Sequence, residues 1–324
     1  MKVTILDDYF DTLRTLDCFD YLADHEVTVW TDHVQDIDLL AGRLVDTEAL
    51  VLIRERTRIE GPLLERLDAL RLISLRSVFP HVDVVTCTRR GVIVSSNLHP
   101  GTPSYATAEL TWALILASLR RLPQQAASLR AGHWQESVGD SLRGKTLGIY
   151  GYGRIGEVVA GYGRAFGTDV VVWASDASRE RAAADGWTVA ESRASFFAHC
   201  DVVTVHQRLT PATRGAITAS DFALMKRTAL FVNTSRAALV VPGALVASLE
   251  AGRPGRAAVD VFEDEPVFNA SDPLLQSDRV LATPHIGYVT RDEWEVQFAD
   301  IFEQINAFAR GEPVNVINPE ARAN

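Results

Sequence analysis

The sequence is poor in cysteine, in positive charge and in long apolar runs. Only Cys18, Cys87 and Cys200 occur among 324 residues, widely spaced and with no C-x-x-C, so neither a disulfide framework nor a zinc site is expected. Asp and Glu outnumber Lys and Arg by 42 to 32, giving a formal charge of −10 and a pI near 5.3. That balance argues against nucleic acid or anionic lipid as the main partner. The most apolar helical stretch, Leu110 to Leu119, is far too short to span a bilayer. Near the start, Asp7 and Asp8 arrive where a signal peptide needs a long apolar stretch. A soluble, cytoplasmic protein is expected, with no metal, no nucleic acid and no membrane among its partners.

What is present is ordinary globular material, 47% apolar and 23% charged, enough to bury cores in two lobes without a staple. Short β-branched runs recur with helical stretches between them. The first series is Val3–Leu6, Val27–Trp30, Leu50–Ile53, Leu72–Ser74 and Val92–Val94. The second is Thr146–Tyr150, Val170–Trp173, Val202–Val205, Leu230–Asn233, Ala257–Val259 and Val280–Ala282. Continuous apolar runs of this length suit parallel strands buried on both faces, so two α/β lobes are predicted.

The joints between lobes can be placed. Thr102-Pro103 reads as a helix start, followed by a face of Leu110, Ala113, Leu114 and Ala117 and an end at Pro123. Thr290 with Glu293 reads as a capping box, followed by the stripe Trp294, Phe298, Ile301, Phe302, Ile305 and Phe308 and a stop at Gly311 and Pro313. Both suit ordinary core helices, and their positions suggest that they also carry the chain between lobes.

Gly151, Gly153 and Gly156 form G-x-G-x-x-G directly after the strand Thr146–Tyr150 and open a helical run. The first glycine permits a tight turn, the second lets a pyrophosphate approach the backbone, and the third lets helix pack on strand. With strand, helix and second strand all on schedule, this is a dinucleotide-binding loop. An acid usually ends the second strand and holds the adenosine ribose, but Ala174 stands there. Asp176, two residues late, can reach the ribose; equally, Ser175, Ser178 and Arg179 can receive a 2′-phosphate, or Asp176 and Arg179 are solvated loop charges. The loop leaves NAD and NADP open.

Three further segments follow predicted strands of the second lobe, on the side where α/β sheets bind ligands. They are Val-Asn-Thr-Ser-Arg (232–236), Val-Asp-Val-Phe-Glu-Asp-Glu-Pro (259–266) and Thr-Pro-His-Ile-Gly (283–287). Together they bring an Arg, a carboxylate and a His, the groups that reduction of a 2-oxo acid asks for. Arg clamps a carboxylate, His protonates the developing alkoxide, and an acid orients the imidazole and favours its charged form.

With these motifs and Leu-Thr-Pro-x-Thr-Arg-Gly at 209–215, residues 1–318 or so resemble the NAD(P)-dependent D-isomer-specific 2-hydroxyacid dehydrogenases, which include phosphoglycerate, D-lactate and glyoxylate/hydroxypyruvate enzymes. The resemblance implies an α/β fold in which a Rossmann dinucleotide-binding domain (101–289) is inserted into a discontinuous flavodoxin-like substrate domain (1–100 and 290–324), usually as a homodimer. It implies Arg236 as the substrate-binding arginine, His285 as acid/base and Glu265 as its partner. It further implies that Asp260 binds the nicotinamide carboxamide and that Arg154, Ile155, Thr213, Thr234 and Ser235 contact the cofactor. His206 resembles a cofactor-side residue. His81 and His99 lie in loops of the first lobe, where each either lines the cleft or serves the structure. Glu263 and Asp264 are expected to be solvated neighbours of Glu265, and Asp7 and Asp8 to cap or stand exposed.

The chain departs from the family in places. Where a glycine-containing loop usually receives the substrate carboxylate, residues 75–83 contain no glycine. Arg208 replaces the usual proline of His-x-Pro, Ala237 follows Arg236 where glycine is usual, and Tyr288 stands where a small residue is common. Arg76, Ser77, Phe79 and Tyr288 are therefore expected to line the substrate site, and the rings of Phe79 and Tyr288 suggest a substrate bulkier than pyruvate or glyoxylate, unless they plug the site instead. The competing functions are a relative acting on phosphite or formate, and an NAD(H)-sensing binding protein of the co-repressor kind. Glu265 counts against the formate type, which carries Gln there.

Overall fold

Each of the β-branched runs falls on a strand. The computed structural model describes residues 1–98 and 105–323. The chain divides into two compact units, Met1–Pro100 with Thr290–Asn324, and Gly101–Val289. His99, Thr102 and Pro103 lie outside the described residues.

Unit 1 holds β1 (Lys2–Ile5), β2 (Glu26–Val29), α1 (Ile37–Leu44), β3 (Ala49–Val51), α2 (Gly61–Leu64), β4 (Leu72–Arg76), α3 (Val84–Arg89) and β5 (Ile93–Asn97). The strands form a wholly parallel sheet in the flavodoxin-like order β2-β1-β3-β4-β5. Leu50, Leu52, Ile73, Leu75 and Val94 pack against Leu40, Leu44, Leu63 and Leu67 on one face, and Phe79 packs against the same core. The strand order reverses between β1 and β3, so the segments after these two strands flank the unit's switch point.

Asp7 and Asp8, directly after β1, are both buried. Asp8 caps as expected, whereas for Asp7 burial corrects the expectation. Asp8 accepts the N–H groups of Thr12 at 3.2 Å and Leu13 at 3.0 Å, and so caps the following turn. Asp7 accepts His33 Nδ1–H at 2.9 Å and the Thr57 hydroxyl at 2.7 Å, while its carbonyl accepts Arg56 Nη1 at 2.6 Å. These bonds satisfy a charge whose burial is otherwise costly.

In unit 2, α4 (Tyr105–Arg120) and α5 (Leu122–Arg130) precede β6 (Thr146–Tyr150), α6 (Arg154–Ala165), β7 (Asp169–Trp173), α7 (Asp176–Ala184) and β8 (Thr188–Val189). Then come α8 (Arg193–His199), β9 (Val202–Val205), α9 (Ala219–Leu224), β10 (Leu230–Asn233), α10 (Ala244–Glu250), β11 (Arg256–Val259) and β12 (Val280–Ala282). All seven strands are parallel, in the order β12-β11-β10-β9-β6-β7-β8. This is the doubly wound dinucleotide-binding order with one added edge strand, reversing between β6 and β9. Successive residues alternate faces: Val203, Val205 and Phe231 meet Phe196, Phe222 and Leu245, while Val202, Leu230 and Val232 meet Trp112, Ile115 and Val159.

Helix α4 buries Leu114 of the expected face but otherwise turns a neighbouring strip inward. Ala108, Thr111, Trp112, Ile115 and Leu119 are buried, whereas Ala113 is exposed and Leu110 and Ala117 are half-buried. The two larger polar side chains on the buried face, Thr111 and Trp112, are both bonded. Trp112 Nε1 donates to the Val159 carbonyl at 3.2 Å, and Thr111 Oγ1 to that of Thr107 at 2.8 Å. Pro123 lies in the first turn of α5, where its missing N–H costs nothing, so it opens a second helix.

The chain completes unit 1 with α11 (Arg291–Ala309). Thr290 Oγ1 accepts Glu293 N–H at 3.3 Å, one half of the expected capping box; the Glu293 carboxylate instead accepts the Gln297 amide at 3.1 Å. The predicted stripe is buried from Trp294 to Ile305, and Ser74 and Gln304 bond α11 to β4 through Ile301 O at 2.9 Å and Leu75 O at 3.1 Å. Gly311, at φ 81°, ends the helix region.

Candidate active site

The loop after β6 turns sharply at Gly151 (φ 101°), where a Cβ would stand 2.8 Å from His206 C and Gln207 N. A Cβ on Gly156 would lie 2.2 Å from the Gly151 carbonyl, so only glycine lets α6 start this close to the strand. Over Gly153 there is open space, with nothing within 4 Å of where a Cβ would stand. Gly153 is the N-cap of α6 and supplies no side-chain cap, so the helix N-terminus at Arg154 and Ile155 begins beside that space.

Arg236, Glu265 and His285 follow β10, β11 and β12, three neighbouring strands about 4.8 Å apart, at their C-terminal ends. His285 Nδ1 donates to Glu265 Oε2 at 2.6 Å, and Glu265 Oε1 accepts Phe262 N–H at 2.8 Å. His285 Nε2 meets no protein partner among the described residues. His285 itself sits in the left-handed region at φ 52°, which favours glycine, so something must hold its turn. Asp260 does. Fully buried, it accepts Thr283 Oγ1–H at 2.6 Å, Ile286 N–H at 2.9 Å and Gly287 N–H at 2.8 Å. Burial pushes the Asp260 carboxyl above the usual carboxylate range, and these three donors pull in the opposite direction.

The Arg236 segment is held in the same manner. Asn233 Nδ2 donates to the Arg236 carbonyl at 3.0 Å, and Asn233 Oδ1 accepts Ser235 N–H at 3.0 Å. Ser235 Oγ donates to the Val205 carbonyl at 2.7 Å. Thr234 is buried with its hydroxyl 2.8 Å from that of Thr111; since Thr111 donates to Thr107, Thr234 is the donor. Sequence reasoning alone misses Thr111, Asn233 and Thr283. The signal for Thr111 is a hydroxyl on an otherwise apolar helix face, and the other two lie inside motifs already read.

The sequence profile of the D-isomer specific 2-hydroxyacid dehydrogenase NAD binding domain matches residues 112–287, more than half of the chain. The glyoxylate reductase of Aeropyrum pernix is 37% identical over 310 residues, covering 91% of this chain and 90% of that protein. The chain belongs to the D-isomer-specific 2-hydroxyacid dehydrogenase family. The D-3-phosphoglycerate dehydrogenase of Methanocaldococcus jannaschii is 36% identical over 86% of this dehydrogenase, which spans 53% of that longer relative. A solved structure from Ralstonia solanacearum, described provisionally as a D-3-phosphoglycerate dehydrogenase, superposes with a TM-score of 0.96 at 48% identity, covering 100% of this chain and 98% of that one.

The dehydrogenase is an NAD(P)-dependent oxidoreductase, and its loop after β6 fits the diphosphate of such a cofactor: open space over Gly153 beside the N-terminus of α6. At the end of β7, Asp176 forms an ion pair with Arg179, whose guanidinium lies 4.6 Å over the Trp173 ring, and Ser175 Oγ bonds Ser178 Oγ at 3.2 Å. His206, at the end of β9, is buried with Nε2 2.9 Å from Thr204 Oγ1 and no partner on Nδ1 among the described residues; burial pushes it down to about 3. The Thr213 hydroxyl is spent on its own loop, accepting Thr210 N–H and donating to Arg208 O, both at 2.7 Å.

Of the residues expected to line the substrate site, three stand in unit 1 and one in unit 2. Arg76 ends β4 with Nε 3.4 Å from Asp300 Oδ2. Ser77 takes the left-handed turn at φ 82° that a glycine would make easily, held by Ser77 N–H to Asn97 O at 3.0 Å and Ser96 Oγ to Ser77 O at 2.7 Å. Tyr288, in unit 2, is buried with its ring against His285. Phe79, half-buried, packs on the unit 1 core, so both rings have protein partners on one side. His81 is buried with both ring nitrogens unpartnered among the described residues, and burial lowers its pKa. Among the described residues no helix is long and apolar enough to cross a membrane.

Proposed function

We propose that the dehydrogenase interconverts a 2-oxo acid and its D-2-hydroxy acid, with unit 2 binding the dinucleotide and unit 1 as the substrate domain. The observation that carries this reading is the 2.6 Å bond from His285 to Glu265, which leaves Nε2 as the available ring atom. A carboxylate only accepts, so Nδ1 keeps its proton and Nε2 is the atom that gains and loses one. In reduction, a nicotinamide held by unit 2 would supply the hydride to the carbonyl carbon. His285 Nε2–H gives its proton to the carbonyl oxygen, completing CH–OH, and takes it back in oxidation. Arg236 holds the substrate carboxylate as a bidentate partner.

Gly151, Gly153, Arg154, Ile155 and Gly156 hold the diphosphate in this reading, and Ser175 and Asp176 meet the adenosine ribose. His206, Thr213, Thr234 and Ser235 shape the walls of the same site through their loops. Asp260 has about four acceptor positions, of which three are filled, leaving one for the carboxamide N–H. A homodimer belongs to the proposal too: α5 buries none of its side chains, and Trp134 and Val138 beyond it are 77% and 97% exposed.

Because Tyr288 is buried with its ring against His285, a small oxo acid fits beside the imidazole better than an aromatic one. Turnover of glyoxylate, pyruvate, 2-oxoisocaproate and phenylpyruvate with NADH and NADPH tests it; phenylpyruvate as the best substrate would refute the size argument. His285→Ala should lower kcat ~10²–10⁴-fold with cofactor affinity nearly unchanged. Near-normal turnover in that variant would remove His285 from the chemistry.

A further inference from the structure

We infer that Tyr288 is a positioning residue for His285, its ring holding the imidazole in the orientation that joins Nδ1 to Glu265 and presents Nε2 outward. The inference rests on the proposed acid/base role of His285. Three observations carry it. The two rings stand at 89° with centroids 5.7 Å apart, within the range of a favourable edge-on pair. Tyr288 is only 8% exposed, so its ring has little room to move aside. Its backbone is placed independently of the imidazole, because Asp260 takes the N–H groups of Ile286 and Gly287 and Val289 N–H bonds Ile286 O at 2.9 Å.

The single bond to Glu265 fixes one atom of the imidazole and leaves the ring able to rock about it. An aromatic wall at right angles opposes that motion, since tilting either opens the contact or drives the rings together. A small side chain at 288 would leave the Asp260 turn and the Glu265 carboxylate in place and remove the wall. The role is therefore separable from the fold of the turn.

The test compares Tyr288→Phe, which keeps the ring, with Tyr288→Leu, which keeps apolar volume without it. The first readout needs no turnover: the imidazole ¹⁵N–¹H signals of uniformly labelled protein, with His285→Ala identifying the His285 resonance. The Nδ1–H signal should persist in Tyr288→Phe and broaden or vanish through solvent exchange in Tyr288→Leu. Alongside it, Tyr288→Leu should lose about 2- to 10-fold in kcat, the kinetic equivalent of one aromatic pair, with KM for the cofactor unchanged. A His285 signal in Tyr288→Leu with wild-type position and linewidth would overturn the inference. Should Tyr288→Leu fail to fold, Tyr288→Met replaces it under the same criterion. A changed signal together with a fully active His285→Ala would overturn the acid/base reading, and the positioning role with it; an unchanged signal with an inactive His285→Ala would overturn the role of Tyr288 alone.

Discussion

The Asp260 carboxylate and the Gly287 N–H meet at 2.8 Å in a fully buried position, and this bond, with those from Thr283 and Ile286, keeps His285 in a left-handed turn. Asp260→Asn should therefore act on stability as well as on chemistry. An amide presents one acceptor oxygen where the carboxylate presents two, and turns an N–H₂ towards a backbone donor. An unsatisfied buried donor costs roughly 1–3 kcal/mol, which predicts a Tm several degrees lower alongside a fall in kcat. Calorimetry showing an unchanged Tm would deny Asp260 its part in the turn.

Acid should weaken the fold through His206. In the unfolded chain its imidazole takes a proton near ~6.5, but the folded protein resists until about 3. The unfolded state thus binds more protons across that window, so stability present above it is lost as pH falls, by up to ~1.4 kcal/mol per unit. Thermal melts of His206→Asn between pH 7 and pH 4 should decline less steeply than wild type. Parallel declines would place the acid sensitivity elsewhere.

For the adenosine end, NADPH is predicted to support measurable turnover, because Ala174 leaves no carboxylate at the usual position and Asp176 is offset by Arg179. Arg179→Ala should raise KM for NADPH more than for NADH. A strong NADH preference that disappears in Asp176→Ala would show that Asp176 has taken over the ribose and that the prediction fails.

Light scattering at micromolar concentration should report twice the 35.6 kDa chain mass. Trp134→Ser with Leu129→Glu should shift the protein towards monomer. A wild-type protein that is monomeric at all concentrations would end the dimer proposal.

Much of this architecture is legible in the sequence because buried parallel strands write themselves as β-branched runs. Strand β8 has only Thr188 and Val189 and leaves no such trace. The buried face of α4 escapes a sequence reading because Thr111 and Trp112 look too polar to bury until Val159 O and Thr107 O are seen to receive them. The catalytic candidates are readable as motifs, whereas the work of Asp260 is not, since two of its three partners are backbone N–H groups that any residue supplies. Asp7 likewise depends on His33 and Thr57, 26 and 50 residues away, which no local pattern brings together.

The return of the chain to unit 1 in α11 also sets an order of events during synthesis. The first five strands emerge from the ribosome with the face that Ser74 offers to α11 still bare, and about 190 residues are made before the helix arrives. At roughly 5–20 residues per second that interval is on the order of 10–40 s. Unit 2 is contiguous and can close while unit 1 waits. The sheet face of the nascent N-terminal segment thus stays bare for that interval, and a destabilised α11 would leave it bare for longer.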